Sequence, residues 1–171
     1  MRRNVALVLL TLVSVTGCAA SSSSTSSATA APSTTTATPV AWTLAQACSS
    51  WRTSAGPVAP AYRAMRTART QQETVAASWR TVRDATGPYG TASREFASEL
   101  LSPPQPWPTP LDQAAAPTAS FTLLIATWAD RVARATTEAD FNTAWAQDPA
   151  SGALPSSYTD AGTAVHKACP G

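Results

Sequence analysis

Phe121, Leu124, Ile125, Trp128, Val132 and Ala135 recur at the 3.6-residue spacing of one helix face. No window of the chain shows the sustained apolar–polar alternation of a half-buried strand. These two facts together predict an all-α fold. No internal repeat suggests a solenoid, so the expectation is a small bundle of four to six helices separated by Gly/Pro punctuation.

The other helices follow from caps and breakers. Thr43-x-x-Gln46 has capping-box form, and Leu44, Cys48 and Trp51 share the face behind it. Gly56-Pro57 is expected to end that helix. The wheel stays in phase from Ala59 to Thr86, with Ala61, Ala64, Met65, Ala68, Val75, Trp79 and Val82 on one side. That favours one long helix over 59–86, broken by Gly87-Pro88. The alternative is a new helix capped at Thr70-x-x-Glu73. Tyr89, Ala92, Phe96 and Leu100 form the next apolar stripe. The run Pro103-Pro104-Gln105-Pro106-Trp107-Pro108-Thr109-Pro110 cannot be helix or central strand, because proline lacks an N–H and fixes φ. Thr137-x-x-Asp140 and Ser157-x-x-Asp160 resemble caps for two short final helices, the first carrying Phe141 and Trp145, the second Ala161, Val165 and Cys169.

The first forty residues have a different character. Met1-Arg2-Arg3 is a short positive segment, and Val5 to Val15 is apolar except for Thr11 and Ser14. The stretch is too short to span a bilayer and has the layout of a secretory signal peptide. Val15-Thr16-Gly17-Cys18 follows directly and resembles the lipobox of bacterial lipoproteins: an aliphatic residue, two small ones, then Cys. The resemblance implies removal of residues 1–17 and a diacylglyceryl group on Cys18. It places the protein at the extracytoplasmic face of the cell membrane, and stable anchoring requires two or more acyl chains. The competing reading is a secreted protein with a chance cysteine there. Residues 19–41 are nearly all Ser, Thr, Ala and Pro. They offer little to bury against the entropy of ordering, so 18–41 reads as a lipidated cysteine and disordered tether spanning roughly 25–30 Å. The helical domain is expected over 42–171.

Three cysteines then divide into one anchor and one pair. Outside the cytoplasm an even remainder of two suggests a disulfide between Cys48 and Cys169. The alternatives are two buried thiols or, less readily, a metal site, since two thiols and one distant histidine lack the close spacing of zinc ligands.

Charge excludes some functions. Removing Arg2 and Arg3 from the 12 basic residues leaves ten against ten acidic ones. That balance gives no global case for nucleic acid as a partner. Catalysis also lacks a constellation. His166 is the single histidine, no serine stands in a G-x-S-x-G context, and there is no phosphate-binding glycine loop. Glu95, Glu99 and Asp112 read as solvated charges, and Asp130 and Arg134 as an i, i+4 pair. The expectation is a protein that is not an enzyme and carries no cofactor.

Two features stand out as contact candidates. Arg66, Arg69, Arg80 and Arg83 fall in one broad sector of the expected long helix, a face suited to anionic lipid or wall polymer. Trp107 lies in the proline loop, either as an exposed contact or as a plug for the bundle end. The other tryptophans named, Trp51, Trp79, Trp128 and Trp145, fall on apolar stripes.

The lipobox, the Ser/Thr tether, Cys48-x-x-Trp51, the Pro-Trp-Pro loop and the terminal cysteine make the chain similar to small helical lipoproteins of actinobacteria. The resemblance implies an address and no activity. Two functional expectations follow: an envelope protein contacting a protein or wall component through Trp107 and the arginine face, or a carrier or sensor holding an apolar ligand between helices. A cavity lined by tryptophan favours the second. A closed core with an exposed Trp107 favours the first.

Overall fold

The computed structural model describes residues 41–170. The expected lipid attachment at Cys18, the signal peptide and most of the tether lie outside the described residues. The domain is all-α, with helices α1 (Leu44–Ala55), α2 (Val58–Val75), α3 (Trp79–Leu101), α4 (Thr109–Ala133), α5 (Glu138–Trp145) and α6 (Ser156–Ala168). No described helix is long and apolar enough to cross a membrane.

The antiparallel pair α3 and α4 forms the spine. Small residues let the two backbones approach closely. A Cβ added at Gly90 would stand 2.8 Å from the Ala129 Cβ and 3.5 Å from the Ala126 carbonyl oxygen. Glycine is disfavoured in a helix interior by about 1 kcal/mol relative to alanine, and here the close crossing requires it. Thr86 and Thr122 are buried in these helices and satisfy their hydroxyls on the carbonyls of Val82 and Thr118, each at 2.7 Å.

Two apolar clusters sit at opposite ends of the spine. At one end α1 and α6 pack on the close of α3 and the start of α4, around Ala47, Trp51, Phe96, Leu100, Trp107 and Leu111. At the other end α2 and α5 pack on the start of α3 and the close of α4, around Met65, Trp79, Val82, Trp128, Val132 and Phe141. The Cys48–Cys169 disulfide joins α1 to the end of α6, across a sequence separation of 121.

Local rules explain most boundaries. The Thr43 capping box is formed in full, with both the Gln46 amide and the Gln46 side chain engaged. Thr137 caps α5 by accepting from the Asp140 amide at 3.1 Å. Helix α6 starts two residues earlier than Ser157-x-x-Asp160 suggests, after Pro155, which fills the N-cap position without a side-chain bond.

The expected long helix over 59–86 is two helices. Ala76 adopts the left-handed conformation, φ 53° and ψ 36°, and the Ala77 amide reaches back to the Gln71 carbonyl. This closes α2 as glycine usually does. Ser78 then caps α3 by accepting from the Arg80 amide at 3.2 Å. The alternative cap at Thr70 is also incorrect, since Thr70 lies inside α2 and bonds the Arg66 carbonyl. Val75 consequently sits at a helix end and is 72% exposed. Gly87-Pro88 does not break the chain either: both residues lie inside α3. Proline in a helix interior costs ~3 kcal/mol. Val82, Thr86, Gly90, Ser93 and Phe96 are buried on both sides of it, and packing of this continuous face holds the helix together, with Pro88 itself exposed.

Candidate functional site

Trp107 is a buried plug, 6% exposed, and no surface contact residue. Its indole N–H donates to the Leu100 carbonyl at 3.0 Å. That carbonyl belongs to the last turn of α3, where no intrahelical donor remains. The prolines around Trp107 turn the chain back so that the ring packs tilted against Trp42 and edge-on against Trp51, at centroid distances of 4.9 and 5.5 Å.

The arginine face is also revised. Because the chain breaks at Ala76, Arg66 and Arg69 lie on α2 while Arg80 and Arg83 lie on α3. Three of the four are committed to the domain itself. Arg69 pairs with Glu73 at 2.7 Å, bonds Gln72 and lies over the Trp145 ring at 5.0 Å. Arg80 and Arg83 lie over Trp79, and Arg83 also pairs with Asp84 and reaches the Ala135 carbonyl. Each arginine spreads over aromatic surface and covers the edge of the core. Arg66 differs: like Arg80 its guanidinium has no hydrogen-bond or ion-pair partner among the described residues, and unlike Arg80 it lies over no aromatic ring. Asp130 pairs across the spine with Arg94, in place of the expected Arg134.

Arg66 faces a cavity of about 370 Å³ between α2, α3, α4 and the segment after α5. The floor is Met65, Ile125 and Trp128, all buried. Tyr62, Tyr89 and Trp145 form the walls. The tyrosine rings stand 5.4 Å apart, and the two indoles 5.2 Å. Trp128 is fixed in place by donating to the Ala144 carbonyl at 3.0 Å, an acceptor in the last turn of α5 that it shares with the Gln147 amide at 3.2 Å. Arg66, Asp148, Ala150 and Ser151 make the polar rim.

Asp148 is held by a turn of its own making. One carboxylate oxygen accepts from the Ala150 amide at 2.8 Å, and its carbonyl accepts from the Ser151 hydroxyl at 2.7 Å. The second carboxylate oxygen has no partner among the described residues. Tyr89 is half-buried at the cavity wall. Burial above all, then the neighbouring Tyr62, Asp148 and Tyr158, push its phenol up to about 12. The hydroxyl therefore stays protonated across the physiological range, as a neutral donor and acceptor.

Sequence periodicity found Met65, Trp128 and Trp145 as apolar positions and Tyr62 as a neighbour of the arginines. It gave no sign of Asp148 or Tyr89 as site residues. The carboxylates Glu95, Glu99 and Asp112 and the single histidine form no cluster: among the described residues no three of His, Cys, Asp and Glu come together to hold a metal ion. The expected disulfide is present, 5.5 Å between Cα atoms, and the Cys48 and Cys169 sulfurs are consumed in it.

The class defined by this architecture is a disulfide-closed helical bundle with an aromatic-walled cavity at the end away from the bridge. No family model, curated protein or solved structure matches the chain.

Proposed function

We propose that this is a non-enzymatic lipoprotein of the cell envelope, anchored through Cys18, whose helical domain holds a small ligand in the cavity between α2, α3, α4 and α5. The observation that carries the reading is the cavity itself, an apolar floor with aromatic walls and two unpaired charges at its rim. Ligand sites combine an apolar lining with a few polar groups in this way, in volumes of roughly 300–1,000 Å³. The contact reading loses its main support, because Trp107 is inside and three of the four arginines are occupied within the domain. The anchor rests on the lipobox resemblance at Val15–Cys18.

Two measurements test this. The intact mass of membrane-extracted protein is expected to exceed the mass of residues 18–171 by the acyl groups, and to lose that increment in Cys18→Ser. A mass matching an unmodified chain removes the anchor. For the cavity, native mass spectrometry of the full chain is expected to detect a bound small molecule that Ala146→Trp excludes, since Ala146 is exposed at the cavity wall. Equal ligand retention by that variant contradicts the reading.

A further inference from the structure

We propose that the cavity takes a small zwitterion with an apolar body, its ammonium group held by Asp148 beside Tyr62 and Tyr89 and its anionic group held by Arg66. This rests on the ligand-holding reading above and specifies the ligand's chemistry.

The argument starts from the two rim charges. Arg66 and Asp148 line one cavity, carry opposite signs and are not paired with each other. Each therefore presents its charge to the opening without a protein partner among the described residues. A neutral apolar ligand would cover both charges and leave them partly desolvated, which is unfavourable. A simple cation would satisfy Asp148 and crowd Arg66, and a simple anion would do the reverse. A molecule carrying both charges on one apolar body satisfies the two together. Net neutrality of the rim matches net neutrality of the ligand.

The aromatic walls refine the cationic half. An ammonium group is attracted to the face of an aromatic ring as well as to a carboxylate. Arg69 already lies over Trp145, so the rings left for a ligand cation are those of Tyr62 and Tyr89. The free oxygen of Asp148 stands at the same rim, fixed by the Ala150 amide on the other oxygen. The Arg66 guanidinium suits a planar carboxylate or a phosphate, which it engages with two parallel donors. The floor of Met65, Ile125 and Trp128 accepts the apolar body. An amino acid with an apolar side chain has these parts. A phospholipid headgroup with an amine has the same charges from a different source.

An isosteric series tests the charges one at a time. Phenylalanine, phenethylamine, 3-phenylpropionate and 2-phenylethanol share the aromatic body and differ in charge. In calorimetric titrations of the full chain, phenylalanine is expected to bind about tenfold or more tighter than either singly charged analogue, the scale of one charge-assisted hydrogen bond. Arg66→Gln is expected to bring phenylalanine down to the level of phenethylamine. Asp148→Asn, which keeps the turn to Ala150, is expected to bring it down to 3-phenylpropionate. Phosphoethanolamine added as competitor identifies the source: displacement of phenylalanine supports the zwitterion and points to a headgroup, and no displacement supports a free amino acid. If 2-phenylethanol or a singly charged analogue binds as tightly as phenylalanine, the zwitterion is overturned while the cavity reading stands. If none of the four binds, the zwitterion is overturned, and retention of a native ligand decides the cavity reading separately.

Discussion

The two ends of the α3–α4 spine use the same device for different ends. In each, a buried indole donates to a carbonyl in the last turn of a helix: Trp107 to Leu100 at the bridged end, and Trp128 to Ala144, alongside the Gln147 amide, at the cavity end. At the bridged end the indole lies in a packed group with Trp42, Trp51 and Phe96, and the Cys48–Cys169 disulfide ties the chain termini of the domain over it. Arg52 adds bonds to the carbonyls of Cys169 and Pro170. At the cavity end nothing covalent holds α2 and α5, and Trp128 forms the floor of an opening. The covalent tie is confined to one end, and the other is held by noncovalent packing alone. Ligand sites are drawn from such less constrained regions.

The largest expected effect breaks the bridged end. The chain-entropy model assigns about 5 kcal/mol to a loop of this length, so Cys48→Ser should lower the midpoint of thermal unfolding by roughly 10–20 °C. An unchanged melting curve after reduction would remove the bridge as the difference between the ends. Next, Trp128→Phe removes the indole bond to the Ala144 carbonyl, which keeps the Gln147 amide, and opens space in the floor. A loss of about 1–3 kcal/mol in urea denaturation is expected, mostly from the space left.

Gly90→Ala tests the spine that both ends share. Helix propensity alone favours alanine by about 1 kcal/mol. The 2.8 Å approach to Ala129 predicts the opposite sign, a net loss of about 1–2 kcal/mol from overpacking. Ala129→Gly in the same chain should recover part of it.

High pH should act on the cavity end. Tyr89 has a folded-state value near 12, above its ordinary 10. Between those values the unfolded chain has released a proton that the folded chain retains, so stability falls as pH rises from about 10 to 12 and is fully present below 10. Tyr89→Phe should flatten that slope. The smallest effect is Ala76→Gly, expected to stabilise by about 0.5–1 kcal/mol by relieving the left-handed alanine.

Much of the bundle was legible in the chain. The 3.6-residue stripe of α4, the Thr43 and Thr137 caps and the paired cysteines are local or compositional features and appear where expected, except that Leu124 of the stripe is exposed and Ala135 lies beyond the helix end. The α2–α3 break was not, because Ala76 is neither glycine nor proline and an apolar wheel stays in phase across it. Ser78 before Trp79 was the available sign. Gly87-Pro88 misled for the converse reason: a local breaker is overridden by the packing of Val82, Thr86, Gly90 and Ser93 against α4. The cavity was illegible because its rim joins residues from α2 and the turn after α5, far apart in sequence. Asp148 looks like any loop aspartate until the fold brings it near Arg66.

The most direct test of the account reads the indoles themselves. Trp42, Trp51, Trp79, Trp107, Trp128 and Trp145 each give an indole N–H resonance in a nitrogen-15 spectrum. Titration with phenylalanine is expected to move the Trp128 and Trp145 signals while Trp42, Trp51 and Trp107 stay in place. Movement confined to the bridged end, or spread evenly over all six, would contradict a ligand site at the cavity end.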